Sequence, residues 1–329
     1  MESVLITGAT GFLGSNLSLK LQKSGYNVTA FVRKVSNLLT LEEFGGSYSY
    51  GDILNINDLL RAMKGIDYVF HTAGLVSFDN RLRNDLYKVN VLGTRNVAEA
   101  ALHSGVKRLV HTSTVAALGL RYDGKLIDEN TFYNASGLGI AYRDTKHLAE
   151  QEIMKMVERG LDAVIANPAS IFGQRDIYFH SGVLLKFLKG RRFIPYLEGG
   201  MCVVGVDDVV EGEILMLHKG RKGERYILGG ENLTFLELFL IIKEVLDGSG
   251  PIVNIKVPRT VAYGISKILE GLSTLTGIQP ALTPGHVISS KIPHYYSSKK
   301  AESELGYTYR PIREAIEKAY AWYKSQNLI

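Results

Sequence analysis

Residues 3–24 read SVLITGATGFLGSNLSLKLQKS, a short apolar run that leads into Gly8, Gly11 and Gly14 and then into a helical pattern over 12–24. Each glycine has a task in such a turn. One bends the chain tightly, one lets backbone N–H groups approach a pyrophosphate, and one lets the helix pack on the strand. Three spaced glycines alone carry little weight; with a strand before them and a helix after, they predict a dinucleotide site.

The same alternation continues outward. Short apolar runs at 4–6, 28–32, 48–50, 68–70, 108–111 and 163–166 read as buried strands, and helical patterns fall between them at 12–24, 57–64, 82–103 and 138–159. Strand and helix taking turns in this way predict an α/β fold, a Rossmann-type doubly wound parallel sheet with helices on both faces. After Pro168 the pattern loosens into helices near 181–189, 208–218, 234–246, 259–275 and 311–326, with turns at 198–200 and 280–284. Thr234 with Glu237 three positions on is a capping-box start. We expect an NAD(P)-binding domain over 1–170 and a smaller, mostly helical substrate domain over 171–329, with segments near 208–230 returning to the first sheet.

Composition narrows the functional classes. At 329 residues with 46% hydrophobic, the chain can bury two modest cores. Its single cysteine, Cys202, excludes an intramolecular disulfide framework and a cysteine zinc cage, and the eight histidines show no metal spacing, so no metal is expected. The opening MESVLITGATGFLG lacks the layout of a secretory signal, and Arg259, Lys267 and Glu270 interrupt the best candidate span, so a cytoplasmic protein is expected. The stretch 259–275 is amphipathic enough to lie on a membrane, but a core-facing helix is the expectation. The net charge of +5 comes as scattered pairs such as Arg33-Lys34, Arg191-Arg192 and Lys299-Lys300, which does not suggest nucleic-acid binding.

Cofactor choice turns on the end of the second strand. Where a carboxylate would accept from a ribose 2′-OH, this chain has Arg33-Lys34, able to pair with a 2′-phosphate; NADP(H) is preferred over NAD(H). Asp52 stands where a carboxylate can accept from the adenine amino group, or simply sits ahead of a helix.

Tyr142 and Lys146, four apart, share one helix face. The spacing also occurs at 263/267, 295/299, 296/300 and 320/324, so it says little by itself. Around Tyr142 the surroundings differ, because one strand runs out into Thr112-Ser113-Thr114 and the next into Asn167-Pro168-Ala169. A hydroxyl, a phenol and an ammonium would then converge at strand carboxyl ends. A free phenol has a pKa of about 10, and a nearby Lys⁺ is expected to lower it. Tyr142 would give a proton to a carbonyl oxygen, with Thr114 rather than Ser113 holding that oxygen. Segments 75–81 and 171–182 would line the pocket, with Phe78, Tyr178 and Phe179 as aromatic walls or as packing between domains.

TGATGFLG, GDI, HTAG (71–74), NVLGT (90–94), HTSTVAALG (111–119), YRDTK (142–146) and NPASIFG (167–173) stand in order along the chain. Together they resemble the extended short-chain dehydrogenase/reductase superfamily, the NAD-dependent epimerase/dehydratases. Residues 203–209, 223–234 and 299–307 are similar to its dihydroflavonol-4-reductase-like branch, which includes hopanoid-associated sugar epimerase-like bacterial members. The resemblance implies a cofactor shell of Gly8, Thr10, Gly11, Phe12, Leu13, Arg33, Asp52, Ile53, Thr72, Ala73, Gly74, Asn90, Thr112, Tyr142, Lys146, Asn167 and Pro168. His71 is read as a core histidine. Nucleotide-sugar epimerases of the superfamily carry an Arg-bearing stretch where this chain has Met201-Cys202-Val203-Val204-Gly205, and a Tyr where it has Ala117-Leu118. Losing that Arg removes a bidentate diphosphate clamp.

The expected function is NADP(H)-dependent reduction of a ketone or aldehyde on a small molecule. A nucleotide-sugar epimerase or dehydratase is the second reading and a non-catalytic NADP(H) sensor the third. Helices at 82–103 and 138–159 could pair across a two-fold axis, so a monomer or a homodimer is expected.

Overall fold

A computed structural model describes residues 1–248, 252–276, 282, 284–290, 292 and 294–329. The first strand, β1 (Ser3–Thr7), shows how the layers arise. Val4 and Ile6 join a core with Leu17, Leu21, Val209 and Met216, while Leu5 joins another with Leu59, Val97 and Ile153. Side chains alternate across a strand, so a run apolar at every position has to be covered on both faces.

The chain continues through α1 (Phe12–Lys23), β2 (Asn27–Val32), β3 (Ser47–Tyr50), α2 (Ile56–Ala62) and β4 (Tyr68–His71). Next come α3 (Arg83–Leu86), a π-helical turn Tyr87–Leu92, α4 (Gly93–His103), β5 (Arg108–Thr112), α5 (Ala141–Glu158) and β6 (Ala163–Pro168). The remainder is β7 (Ser170–Phe172), α6 (Gly182–Leu188), β8 (Phe193–Tyr196), β9 (Gly200–Gly205), α7 (Val206–Lys219), β10 (Arg225–Leu228), β11 (Glu231–Thr234) and α8 (Phe235–Asp247). It closes with β12 (Val253–Lys256), α9 (Arg259–Thr276), α10 (Pro284–Ser289), α11 (Lys299–Leu305) and α12 (Ile312–Ser325).

Seven strands form one sheet in the order β10-β6-β5-β4-β1-β2-β3, with every neighbouring pair parallel. The chain moves outward from β1 to β3 and then returns to β4 on the other side of β1. This reversal opens a crevice at the strand carboxyl ends, where such sheets bind ligands. Both α7 and β10 belong to this layer, α7 covering the face it shares with α1.

The C-terminal part is mostly helical but carries more strand than its sequence suggests. Its core joins Leu185, Leu188, Leu238, Ile242, Ile316 and Tyr323 from α6, α8 and α12 to Ile194 and Val203 from strands. A three-stranded sheet, β11-β9-β7, and a two-stranded pair, β12-β8, were not legible as strands. β7, β8, β11 and β12 are only three or four residues long, and β12 is exposed at all four positions, so no apolar alternation marks it. The capping box at Thr234 and Glu237 is present. The turn expected at 280–284 falls largely outside the described residues.

The core-facing expectation is not met at α9: among its described side chains Ala262 and Ser266 are buried, whereas Val261, Ile265 and Ile268 are exposed. Amphipathic periodicity fixes which face is apolar, not what covers it. Among the described residues no helix is long and apolar enough to cross a membrane.

Candidate active site

The turn after β1 fits a dinucleotide on two independent grounds. A Cβ at Gly14 would lie 2.3 Å from the Gly8 carbonyl oxygen, so strand and helix approach at a distance only glycine permits. Gly11, the N-cap of α1, has no side-chain partner and the first turn holds no acidic residue, leaving its N–H groups open to an anion. Thr10 lends its carbonyl oxygen to the Thr40 hydroxyl, and Phe12 and Leu13 are buried in the first helical turn. The exits of β1 and β4 are tied together, since the Thr72 hydroxyl donates to the Thr7 carbonyl at 2.8 Å and the Ala73 backbone packs on Gly8.

Arg33 follows β2 as an exposed cation with no ion pair among the described residues. Asp52 uses Oδ1 to accept from Leu54 N at 2.9 Å, stabilising the turn after β3, and Asn55 rather than Asp52 caps α2. Ile53 packs over Gly93 at the start of α4.

Further along the sheet edge, Gly74, Asn90 and Lys146 converge. A Cβ at Gly74 would meet Asn90 Oδ1 at 3.4 Å and Lys146 Nζ at 4.0 Å. The Asn90 amide clamps Leu75, accepting from its N–H at 2.8 Å and donating to its carbonyl at 3.0 Å, so it shapes the loop leaving β4. His71 is a satisfied core residue between Thr7 (2.7 Å) and Thr94 (3.0 Å), and burial together with the Lys146 ammonium lowers its pKa to about 3.

The three hydroxyls after β5 point differently. Ser113 is buried and donates to Glu150 at 2.5 Å, and Thr112 donates to Glu213 at 2.6 Å on the far face of the sheet. Thr114 Oγ1 accepts from Ala116 N and lies near enough to the Tyr142 phenol to pull its pKa down. Asn167 donates to the Thr114 carbonyl (2.9 Å) and to Glu150 (2.7 Å), fixing the backbone that carries Thr114, and Pro168 ends β6.

Tyr142 and Lys146 lie on the buried face of α5. Lys146 Nζ donates to the Thr112 carbonyl at 2.9 Å, and burial lowers its pKa to about 8 against the pull of Glu150 and Glu213. For Tyr142 the direction is the reverse of the sequence expectation. Burial raises the phenol to about 12, while Thr114 and Arg143 lower it only in part. Desolvation of the anion outweighs nearby positive charge here.

The other Tyr/Lys pairs have different settings. Tyr263 is exposed beside a Lys267 that pairs with Glu270, and Lys324 lies over the Tyr320 ring at 5.4 Å. Tyr295 lies outside any helix, and Tyr296 is buried there while Lys300 bonds Glu224.

Of the expected aromatic walls, Phe78 meets the Tyr142 ring edge-on at 5.7 Å and Tyr178 is exposed. Phe179 instead stacks on Tyr323 at 4.9 Å with Lys186 over its ring at 3.4 Å, so packing within the C-terminal core engages it. Sequence reasoning missed the buried carboxyls Glu150 and Glu213. A signal existed, because 206, 209, 210, 213 and 217 form one helical face and residue 213 is its lone acid. No group of His, Cys, Asp and Glu able to hold a metal occurs among the described residues.

A glycine-lined crevice at the switch point of a parallel sheet, with a phenol and a buried lysine beside it, defines a class: NAD(P)-dependent oxidoreductases of the extended short-chain type. The family model described as the NAD dependent epimerase/dehydratase family matches residues 4–229, and the chain belongs to that family. Over 336 aligned residues it is 34% identical to a Synechocystis sp. protein named "Putative dihydroflavonol 4-reductase", covering 100% of this chain and 96% of that one. It is 32% identical to "Sterol demethylase protein B" of Methylococcus capsulatus, covering 99% and 100%. Among solved structures, gox2253 superimposes with a TM-score of 0.84 at 36% identity over 100% of both chains.

Proposed function

We propose that the chain is an NADP(H)-dependent reductase of a ketone or aldehyde on a small to medium-sized, largely apolar molecule. The observation that carries this reading is the Tyr142 phenol, buried against Thr114 and held at about 12, a proton donor rather than a ready base. The cofactor's nicotinamide would supply the hydride. Thr114 would hold the carbonyl oxygen, Tyr142 would give it the proton, and Lys146 would hold the nicotinamide ribose.

Gly8, Gly11 and the first turn of α1 would cradle the pyrophosphate, with Thr72, Ala73, Gly74 and Asn90 forming the adjoining wall. Residues 1–170 would carry the cofactor and 171–329 would shape the pocket, with Phe78 and Tyr178 at its mouth. The apolar Leu75 and Phe78 beside Tyr142 favour an apolar substrate. We place the protein in the cytoplasm, as a monomer or homodimer.

The direct test is a panel of apolar ketones and aldehydes assayed for NADPH oxidation. Turnover of one or more is expected. Tight cofactor binding with no turnover across the panel would point instead to an NADP(H) sensor. The epimerase or dehydratase reading draws on the family name; recovery of the purified protein with stoichiometric oxidised nicotinamide would favour it, and rapid NADPH exchange would favour the reductase.

Arg33→Ala tests cofactor choice. Loss of one charge-assisted contact to a 2′-phosphate should weaken NADPH by roughly 10- to 100-fold and leave NADH within about twofold, read by equilibrium titration of each. Equal losses would remove the 2′-phosphate role.

A further inference from the structure

Glu213 occupies a core position of α7, on the same buried face as Val209, Val210, Met216 and Leu217. A carboxyl there costs stability that an apolar side chain would not, so a partner has to account for it. It accepts one hydrogen bond, from Thr112 Oγ1 at 2.6 Å, and its Oε2 has none. Thr112 is the last residue of β5. Its side chain reaches α7 on one face of the sheet, while its carbonyl oxygen accepts from Lys146 Nζ of α5 at 2.9 Å. One residue thus joins the buried acid to the buried lysine.

The geometry points to Glu213 as a positioning residue that, through Thr112, holds the Lys146 ammonium in place and keeps it charged. The inference rests on the reading of Lys146 as the lysine of a carbonyl reductase. Burial raises the Glu213 carboxyl to about 7 and lowers Lys146 to about 8, and each pulls the other back toward its charged form.

The surrounding charges are engaged elsewhere. Lys20 of α1 pairs with Glu211, Arg310 with Asp208, Arg108 of β5 with Asp162, and Lys300 of α11 with Glu224. Lys219 donates to the Leu305 carbonyl, and Arg95 of α4 pairs with Glu152 on α5. Facing Lys146 are His71 and His111, both shifted toward the neutral form by burial and by the ammonium itself. Glu150, one turn along α5, also faces it, but Ser113, Asn167 and Arg225 already bind that carboxylate. Glu150 exerts the larger pull on Lys146, and Glu213 adds to it through Thr112, its one hydrogen-bond partner.

Glu213→Gln keeps an acceptor for Thr112 and removes the charge. With lysine labelled at Cε with carbon-13 and the Lys146 resonance assigned through its loss in Lys146→Met, the chain is titrated by NMR without added nucleotide. The Lys146 midpoint should fall by about one pH unit in Glu213→Gln and return in Glu213→Asp. The alkaline limb of kcat/KM for carbonyl reduction should move down with it, roughly fivefold in rate at pH 8, with substrate KM little changed. Should Glu213→Gln not fold, Thr112→Val severs the same line and should lower the midpoint likewise, while Thr112→Ser preserves it. An unmoved midpoint in a folded variant overturns the proposal. A shifted midpoint in a chain that binds NADPH but turns over no ketone or aldehyde of the panel would leave the Glu213–Lys146 coupling standing and remove the reductase reading.

Discussion

Tyr142→Phe is expected to reduce kcat for carbonyl reduction by ~10² to 10⁴ while leaving the cofactor Kd within about twofold. The substitution removes one oxygen and little else. The ring packs with Leu86, Ile140 and Ala141 and meets Phe78 edge-on, contacts that a phenylalanine keeps, so the fold should survive. No neighbour can take over the proton. Lys146 Nζ is held at the Thr112 carbonyl and is assigned to the nicotinamide ribose, Ser113 is engaged by Glu150, and an aliphatic hydroxyl such as Thr114 is a far weaker acid than a phenol. Stopped-flow hydride transfer with parallel fluorescence titration of cofactor separates the two quantities. Near-normal turnover would sink the mechanism.

The pH dependence has a definite sign. A phenol held at about 12 remains protonated through neutral pH, so reduction should be flat on its acid side and fail only as Lys146 loses its proton above about 8. Alcohol oxidation needs the phenolate and should rise with pH over the same range. Activities measured in both directions from pH 6 to 9 therefore diverge, with oxidation still rising at pH 9, whereas a tyrosine of depressed pKa would give an oxidation rate that levels off within that range.

Much of this arrangement could be read along the chain, because its strongest signals are local. β1, the glycine turn and α1 are contiguous, and their periodicity changes from strand to helix within a few residues. Tyr142 and Lys146 stood apart from four similar pairs only through flanking strand ends. What stayed hidden depends on distant partners. Phe179 is an aromatic in a loop until Tyr323, from the last helix, arrives to stack on it. The direction of the Tyr142 shift depends on how completely the phenol is enclosed, a property of several elements at once. The exposure of α9 was equally invisible, since periodicity names an apolar face without naming its cover.

Gly8→Ala is the second large effect, and a second glycine gives it a reference. Gly8 has φ +72°, a left-handed conformation, and a Cβ there would lie 2.5 Å from the Ala73 nitrogen and 2.6 Å from its Cα. Both obstacles are backbone, so neither can rotate away. Gly25 shares the conformation, φ +87°, but a Cβ there meets nothing within 4 Å. Gly25→Ala should therefore cost only the left-handed strain, about 1 kcal/mol. Gly8→Ala should cost that and the overpacking of a closed contact, about 2–4 kcal/mol together. It should also weaken cofactor binding by at least roughly tenfold, because relieving the clash pushes the β4 exit away from the turn whose N–H groups would meet the pyrophosphate. Urea unfolding of both variants, with cofactor titration of each, isolates the contribution of the contact. Equal stabilities and equal affinities for the two would mean that the approach of β4 to Gly8 is not what shapes the site.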